Sequence, residues 1–194
     1  MSKSDPAASK RERNKTIRWV VTIFIVTIFI SGAISLLSDV IMENSSVFVA
    51  FLILLAIILI NIIFDIIGMA VASADEKPFH SMAARKVPGA QESIALLRNA
   101  ERVSSICNDV VGDICGVVSG SASATIAVQI ISNFDFSWPQ IVSLAMSALA
   151  AGLTVGGKAI GKSFAVNSST AIVHSVGKGI HWLHSLTKPK KKTK

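Results

Sequence analysis

Three long stretches of the sequence carry no charged residue, and they constrain the fold more than any other feature. They are residues 19–37, 47–64 and 136–157, and the second continues past one acid to Ala74. A helix needs about 20 consecutive apolar residues to cross the hydrocarbon core of a bilayer. Hydrophobic residues make up 51% of the 194 residues and charged residues only 16%, which is too little charge to cover a soluble domain. We therefore predict an all-α integral membrane protein rather than a soluble enzyme, a secreted disulfide scaffold or a free nucleic-acid-binding protein.

The Lys and Arg residues fall into three segments. Six of the 19 lie in residues 3–18, five in 77–102 and eight in 158–194, and none lies in 39–46 or 132–140. Short loops rich in Lys and Arg stay in the cytoplasm. The distribution therefore predicts a protein of the cell membrane with four spans and both termini in the cytoplasm. The net charge is +7, and we expect the basic termini to contact anionic lipid headgroups. Nucleic acid is not the expected partner, because no aromatic residues interleave with the basic runs.

The alternation of apolar and polar stretches gives the expected domain organisation. The predicted spans are 17–38, 46–74, 103–132 and 140–157. They form a transmembrane domain over residues 17–157, interrupted by a cytoplasmic segment over residues 75–102. Residues 1–16 are basic and are expected to be disordered, and residues 188–194 form a basic tail.

Residues 158–187 are too polar to cross the membrane. Within them Ile172, Val176, Ile180 and Leu183 recur at the spacing of one helical stripe. This pattern predicts an amphipathic helix that lies in the plane of the inner leaflet with the stripe facing lipid.

Three acidic residues lie inside the predicted spans and are the strongest candidates for a functional site. Asp65 lies nine residues before the inner end of the second span, and Asp109 and Asp113 lie six and ten residues past the inner start of the third. At about 1.5 Å per residue, all three reach a depth of about 9–15 Å from the inner boundary. Ionised carboxylates are costly inside a bilayer and are usually paired or functional. We therefore predict that these acids converge from two helices.

Further oxygen donors stand close to these acids in the sequence, namely Asn61, Ser105 and Asn108. Carboxylate, amide and hydroxyl oxygens are the ligands that hard cations such as Mg²⁺ prefer. Together with the acids they predict an intramembrane site for Mg²⁺ as a bound or transported ion. The alternative is structural, with the acids forming hydrogen bonds between helices or pairing with Lys158.

Gly112, Gly116 and Gly120 repeat every four residues along the third span. Small residues at this spacing let membrane helices approach closely. Because Asp109 and Asp113 share a face with Gly116 and Gly120, the acids are expected to be buried in a tight contact between helices.

Two other patterns are not interpreted as sites. Residues 156–163 read G-G-K-A-I-G-K-S and match the phosphate-binding loop, but they follow a membrane helix rather than a strand, and no acid follows Asp135. His174, His181 and His184 are attributed to an exposed, solvated face. No Ser-His-Asp, Cys-His or paired-acid arrangement has the placement that catalysis needs, so neither nucleotide binding nor enzymatic activity is expected.

Three segments carry a resemblance to a known family. Residues 63–73 read I-F-D-I-I-G-M-A-V-A-S, residues 99–103 read N-A-E-R-V, and residues 157–167 read G-K-A-I-G-K-S-F-A-V-N. In order and spacing they resemble the motifs F-F-S-G-S-E-T-A-L-T-S, N-P-E-R-L and G-E-I-I-P-K-x-x-A-x-R-N in the transmembrane domain of the cyclin-M/CorB/CorC magnesium transporters. The similarity covers about residues 47–185. It implies a minimal, dimeric transport domain for Mg²⁺ or Co²⁺.

The sequence departs from the family pattern at several positions. The serine and glutamate positions of the first motif hold Asp65, Ile67 and Gly68, and the glutamate and proline of the last motif are replaced by Lys158 and Gly161. The first span is additional, and the regulatory domains of the family have no counterpart in these residues. The departures leave two other functions open, a non-transporting scaffold or accessory subunit derived from the family and a small lysis-type pore. A cation at position 158 also predicts weaker Mg²⁺ binding than in the family, because its charge opposes that of the metal.

Overall fold

The computed structural model describes residues 6–43, 45–134 and 138–187. Regular structure in these ranges is helical throughout. The helices follow in the order α1 Pro6–Glu43, α2 Val47–Ser73, α3 Lys77–Ala84, α4 Ala90–Arg98, α5 Ala100–Ser105, a π-helical segment Ile106–Val111, α6 Gly112–Phe134, α7 Pro139–Asn167 and α8 Ser169–Thr187. Four stretches are long and apolar enough to cross a membrane: Ile17–Met42, Val47–Ser73, Ala100–Asn133 and Pro139–Asn167. The prediction of an all-α protein with four helices of membrane-spanning character is therefore confirmed.

The membrane-spanning helices pack around α2, which contacts α6 and α7, while α1 packs against α6. One end of this bundle carries the α1–α2 and α6–α7 connections and is called the acidic end. The opposite end, where α2 finishes, is called the basic end. Near the acidic end an apolar core is formed by Met42, Ala50, Leu54, Ile58, Ala122, Ile126 and Ala150. Two hydrogen bonds hold α1 to α6 there: Gln129 Nε2 donates to the Met42 carbonyl at 2.7 Å, and Ser121 Oγ donates to Asp39 Oδ1 at 2.8 Å.

A second group of helices covers the basic end. Here α3, α4, α5 and α8 pack with the ends of α2 and α7 to form what we call the basic lobe. Its separate core contains the buried residues Ala70, Val71, Phe79, Ala165 and Val173. The turn into α4 passes through Gly89 at a φ of +84°, a conformation that glycine adopts without steric cost. The basic lobe therefore has its own apolar core.

The beginning of α1 differs from the expectation. It starts at Pro6, so residues 6–16, which were expected to be disordered, continue the first span as helix. These residues are mostly Ala, Lys, Arg and Glu, which have high helix propensity, and they extend a helix that is already nucleated by the span.

The end of α7 also differs from the expectation. This helix runs to Asn167 rather than ending near residue 157, because its last turns pack into the lobe, where Ala165 is fully buried. The amphipathic helix predicted over residues 158–187 is thus divided between α7 and α8, which begins at Ser169. The basic tail predicted over residues 188–194 lies outside the described residues.

Candidate functional site

The contact between α2 and α7 contains an ion pair at the basic end of the bundle. Lys158 Nζ lies 3.3 Å from Asp65 Oδ1, and the two side chains are 29% and 18% exposed. Glycines bring the two helices together on either side of this pair. A methyl group on Gly161 would lie 2.8 Å from Ile66 Cγ1, and one on Gly157 would collide with Ile62. The close helix contact expected for membrane glycines is therefore made by Gly157 and Gly161, directly beside the ion pair.

A buried amide lies one turn from Asp65 on the same helix. Asn61 is 2% exposed, and its Oδ1 accepts no hydrogen bond from the residues that the structure describes. Gly112 of α6 faces the same space, since a methyl group on it would lie 3.5 Å from Lys158 Nζ and 3.7 Å from Asn61 Oδ1. Asn61 and Lys158 thus face Gly112, and Lys158 also pairs with Asp65. We call the side chains of Asn61, Asp65 and Lys158 the polar cluster.

A second buried amide belongs to the π-helical segment. Asn108 Nδ2 donates to Ser104 Oγ at 3.2 Å, whereas Asn108 Oδ1 is buried and has no partner among the described residues. This oxygen lies directly against Gly68 of α2, which has no room for a side chain. Single π turns inside α-helices are frequent at functional sites, because the extra residue redirects the side chains around it.

Asp109 and Asp113 do not join the polar cluster. Both are exposed on the surface of the single chain. Asp109 accepts a hydrogen bond of 2.6 Å from Ser105 Oγ, while no hydrogen bond or ion pair joins Asp113 to another described residue. In the described part of the chain, no three His, Cys, Asp or Glu side chains form a group that could hold a metal ion. Within this part, the predicted convergence of the three acids is not observed.

The apolar residues of α6 explain why these acids face outward. Val118, Ala122 and Ile126 are almost fully buried, and Ala122 and Ile126 belong to the apolar core. Residues on this face lie opposite Asp113 on an α-helix. The expected burial of Gly116 and Gly120 is also wrong, because no described atom lies within 4 Å of a methyl group placed on either.

The charged positions of three helices lie at one level of the bundle. Asp65 lies eighteen residues after the start of α2, Lys158 nineteen residues after the start of α7, and Asp113 twenty residues before Asn133 in α6. These separations correspond to about 27–30 Å of helix, which is the thickness of the hydrocarbon core. The polar cluster therefore lies about one core thickness from the acidic end of the bundle.

Two cavities open on opposite sides of the polar cluster. At the basic end, a cleft of about 500 Å³ is lined by Glu101, Ser104, Ser105, Asn108 and Asp109, together with Ala72 and Ala100. A cavity of about 850 Å³ opens at the acidic end beside Gln129 and Asn133. On α2 and α6, core residues such as Leu54, Ile58 and Ala122 fall between the acidic-end cavity and the polar cluster.

The sequence signals for these features are uneven. The four-residue spacing of Asn61 and Asp65 indicates a shared helix face, and the pairing of an acid with Lys158 was one of the two readings left open. The roles of Gly68 and Gly112 had no signal in the sequence, because each depends on the register between two helices. No family model, curated protein or solved structure matches the chain, so the resemblance to the cyclin-M/CorB/CorC family stays a prediction.

Proposed function

We propose that this protein transports a divalent cation, with Mg²⁺ as the first candidate, through the polar cluster and Asn108. Three buried amide oxygens accept no hydrogen bond from described residues, and two of them, Asn61 Oδ1 and Asn108 Oδ1, belong to the basic half of the bundle with the Asp65 carboxylate; these two carry the proposal. A buried acceptor without a partner costs about 1–3 kcal/mol. A hard cation bound by the carboxylate and amide oxygens would give these acceptors a partner and so remove that cost.

Each residue has a distinct role in this proposal. Asp65 supplies negative charge, and Asn61 and Asn108 supply neutral oxygens. Asp109 and Ser105, which are hydrogen-bonded to each other in the basic-end cleft, attract hydrated cations toward Asn108. Asp113 lies on the exposed face of α6 and takes no part in the path of a single chain.

Lys158 acts as a tethered cation that competes with the metal. Its ammonium lies within ion-pair distance of Asp65 and close to Asn61 across Gly112. Two cations in one small space repel each other strongly when water is scarce. Loading of the site therefore requires the flexible Lys158 side chain to swing toward the headgroups, as lysines near helix ends do.

The cavities support a state in which the cation path opens toward the basic end. The cleft containing Asn108 and Asp109 lies on that side, whereas the apolar core with Leu54 and Ile58 separates the polar cluster from the acidic end. In this proposal the basic end is cytoplasmic, as the bias of Lys and Arg predicts. Release on the other side would then require α2 to separate from α6 and α7.

A second candidate is a membrane scaffold or accessory subunit that does not transport. The same Lys158–Asp65 ion pair favours it, because a carboxylate neutralised by a lysine needs no metal. The two candidates predict different results when Lys158 is replaced. A transporter gains affinity for the metal, whereas a scaffold becomes less stable and shows no change in metal affinity.

Flux into sealed vesicles tests the transport proposal. Purified protein is reconstituted into liposomes that contain a Mg²⁺-sensitive dye, and external Mg²⁺ is added. We expect protein-dependent dye response that falls at least about tenfold in Asp65→Asn, since the variant loses the charged ligand. The matched variant Asp113→Asn should retain the rate. Equal rates in protein-free, wild-type and Asp65→Asn vesicles would reject the proposal and favour the scaffold.

A further inference from the structure

The last two turns of α8 expose an apolar patch outside the membrane-spanning helices. Trp182, Leu183 and Leu186 are 62%, 56% and 63% exposed. Positions 182, 183 and 186 lie within about 100° of one another around an α-helix, so they share one face. We call these three side chains the α8 patch.

The opposite face of α8 is fixed to α4. Val173 is fully buried, and its carbonyl accepts a hydrogen bond of 3.2 Å from Ser93 Oγ. Gly177 lies so close to Gly89 and Ser93 that a side chain would collide with both. Because this contact fixes the rotation of α8, the α8 patch points away from the basic lobe.

This orientation changes the expected lipid-facing side of the helix. The stripe predicted to face the inner leaflet begins with Ile172, which instead packs against the lobe core, while Val176 and Ile180 are half-buried. Leu183 alone of that stripe belongs to the exposed patch. The side of α8 that carries Ile172 and Val173 is therefore occupied by contacts with the basic lobe, and the α8 patch lies on a different side.

The residues that follow α8 indicate which surface that is. Five of the seven residues in 188–194 are lysines, and the segment has no acid. Lysines are attracted to the surface of an anionic membrane, and tryptophan favours the interfacial region. An apolar patch followed at once by a basic run matches the chemistry of an anionic phospholipid surface.

We propose that the α8 patch docks on the anionic surface of the membrane in which the protein resides, and that residues 188–194 supply the electrostatic part of the attraction. The basic lobe is then held against the bilayer by the end of α8. This inference stands on α8 and its following residues, so it does not depend on cation transport.

Site-directed fluorescence in nanodiscs tests this docking. In full-length protein with Cys107→Ser and Cys115→Ser, an environment-sensitive fluorophore is attached at Leu186→Cys, and a matched label is attached at Ser175→Cys. Position 175 lies on the same side of α8 about three turns before position 186. Nanodiscs contain phosphatidylcholine with or without phosphatidylglycerol, and brominated acyl chains serve as the quencher.

We expect the label at position 186 to be quenched by brominated lipid, about twofold more with phosphatidylglycerol than without it, while the label at 175 is not quenched. Replacing the five lysines of residues 188–194 with Gln should remove the dependence on phosphatidylglycerol. The proposal is overturned if lipid does not quench the label at 186, if both labels are quenched equally, or if labels on two copies quench each other instead.

Discussion

Lys158 Nζ lies 3.3 Å from Asp65 Oδ1 across the contact between α7 and α2, nineteen residues after the start of α7 and eighteen after the start of α2. Each charge is partly shielded from solvent and each has the other as its counter-ion. This pair links the stability of the bundle to the chemistry proposed for the polar cluster, because any cation that binds Asp65 has to compete with the ammonium.

Removing one member of the pair should destabilise the protein when no metal is present. We expect Lys158→Met to lower the free energy of unfolding by about 1–2 kcal/mol, since it leaves a partly buried carboxylate without its counter-ion. The double variant Lys158→Met/Asp65→Asn should recover most of this loss. Thermal unfolding in detergent with EDTA measures both values, and equal stability of the two variants would show that the unpaired Asp65 carboxylate is not what destabilises Lys158→Met.

Gly68 should tolerate no larger residue. Gly68→Ala places a methyl group against Asn108 Oδ1 and 3.0 Å from Cys107 Cβ, which forces the π-helical segment away from α2. We expect a loss of about 1–3 kcal/mol, as for other overpacked contacts. Gly116→Ala is the matched control, since a methyl group there meets no described atom within 4 Å. Similar melting temperatures for both variants would contradict the described contact.

The contact between α4 and α8 should weaken in acid. His181 Nδ1 lies 2.8 Å from Glu92 Oε1, and this hydrogen bond lowers the pKa of Glu92 below its ordinary value of 4.5. A lowered pKa means that the stabilisation is complete above pH 4.5 and is lost as the pH falls through the folded-state value. The protection of the α8 amides against hydrogen exchange, relative to an unfolded chain at the same pH, should therefore decrease below pH 4.5. The variant Glu92→Gln should remove this pH dependence. An unchanged pH profile in Glu92→Gln would assign the effect to other groups.

The proposed orientation predicts which surface positions react from outside the cell. In a background without Cys107 and Cys115, Ser132→Cys near the acidic end should react with an impermeant maleimide, and Ser81→Cys in α3 should react only after lysis. Both serines are exposed, whereas Ser93, another residue of the basic lobe, is fully buried and would not report on sidedness. Labelling of position 81 in intact cells would show that the protein has the opposite orientation.

The sequence predicts the four spans well because charge-free length is a local property. The second span was expected at residues 46–74 and is observed at Val47–Ser73. The end of α7 was misplaced because its last turns are stabilised by the burial of Ala165 in the basic lobe, a contact between distant segments. Such a contact cannot be predicted from the local sequence.

The candidate site was predictable in composition but not in arrangement. Polar residues inside apolar helices identify Asn61, Asp65 and Asn108 without any structure. Whether Asp113 reaches Asp65 depends on the rotation of α6 about its axis. That rotation is fixed by the packing of Ala122 and Ile126 in the apolar core. Asp109 and Asp113 were therefore expected to converge with Asp65, whereas both are exposed on the surface of the single chain.

The most direct test of the central claim is the Mg²⁺-dependent melting temperature of Lys158→Glu compared with wild type and with Asp65→Asn. A ligand that binds the folded state raises the melting temperature, and at a fixed ligand concentration the rise is larger for tighter binding. If Lys158 competes with the cation at Asp65, wild type should show a rise with Mg²⁺, Lys158→Glu a larger rise, and Asp65→Asn none. A rise that is the same in all three proteins, or one that is smaller in Lys158→Glu than in wild type, would contradict a cation site at the polar cluster.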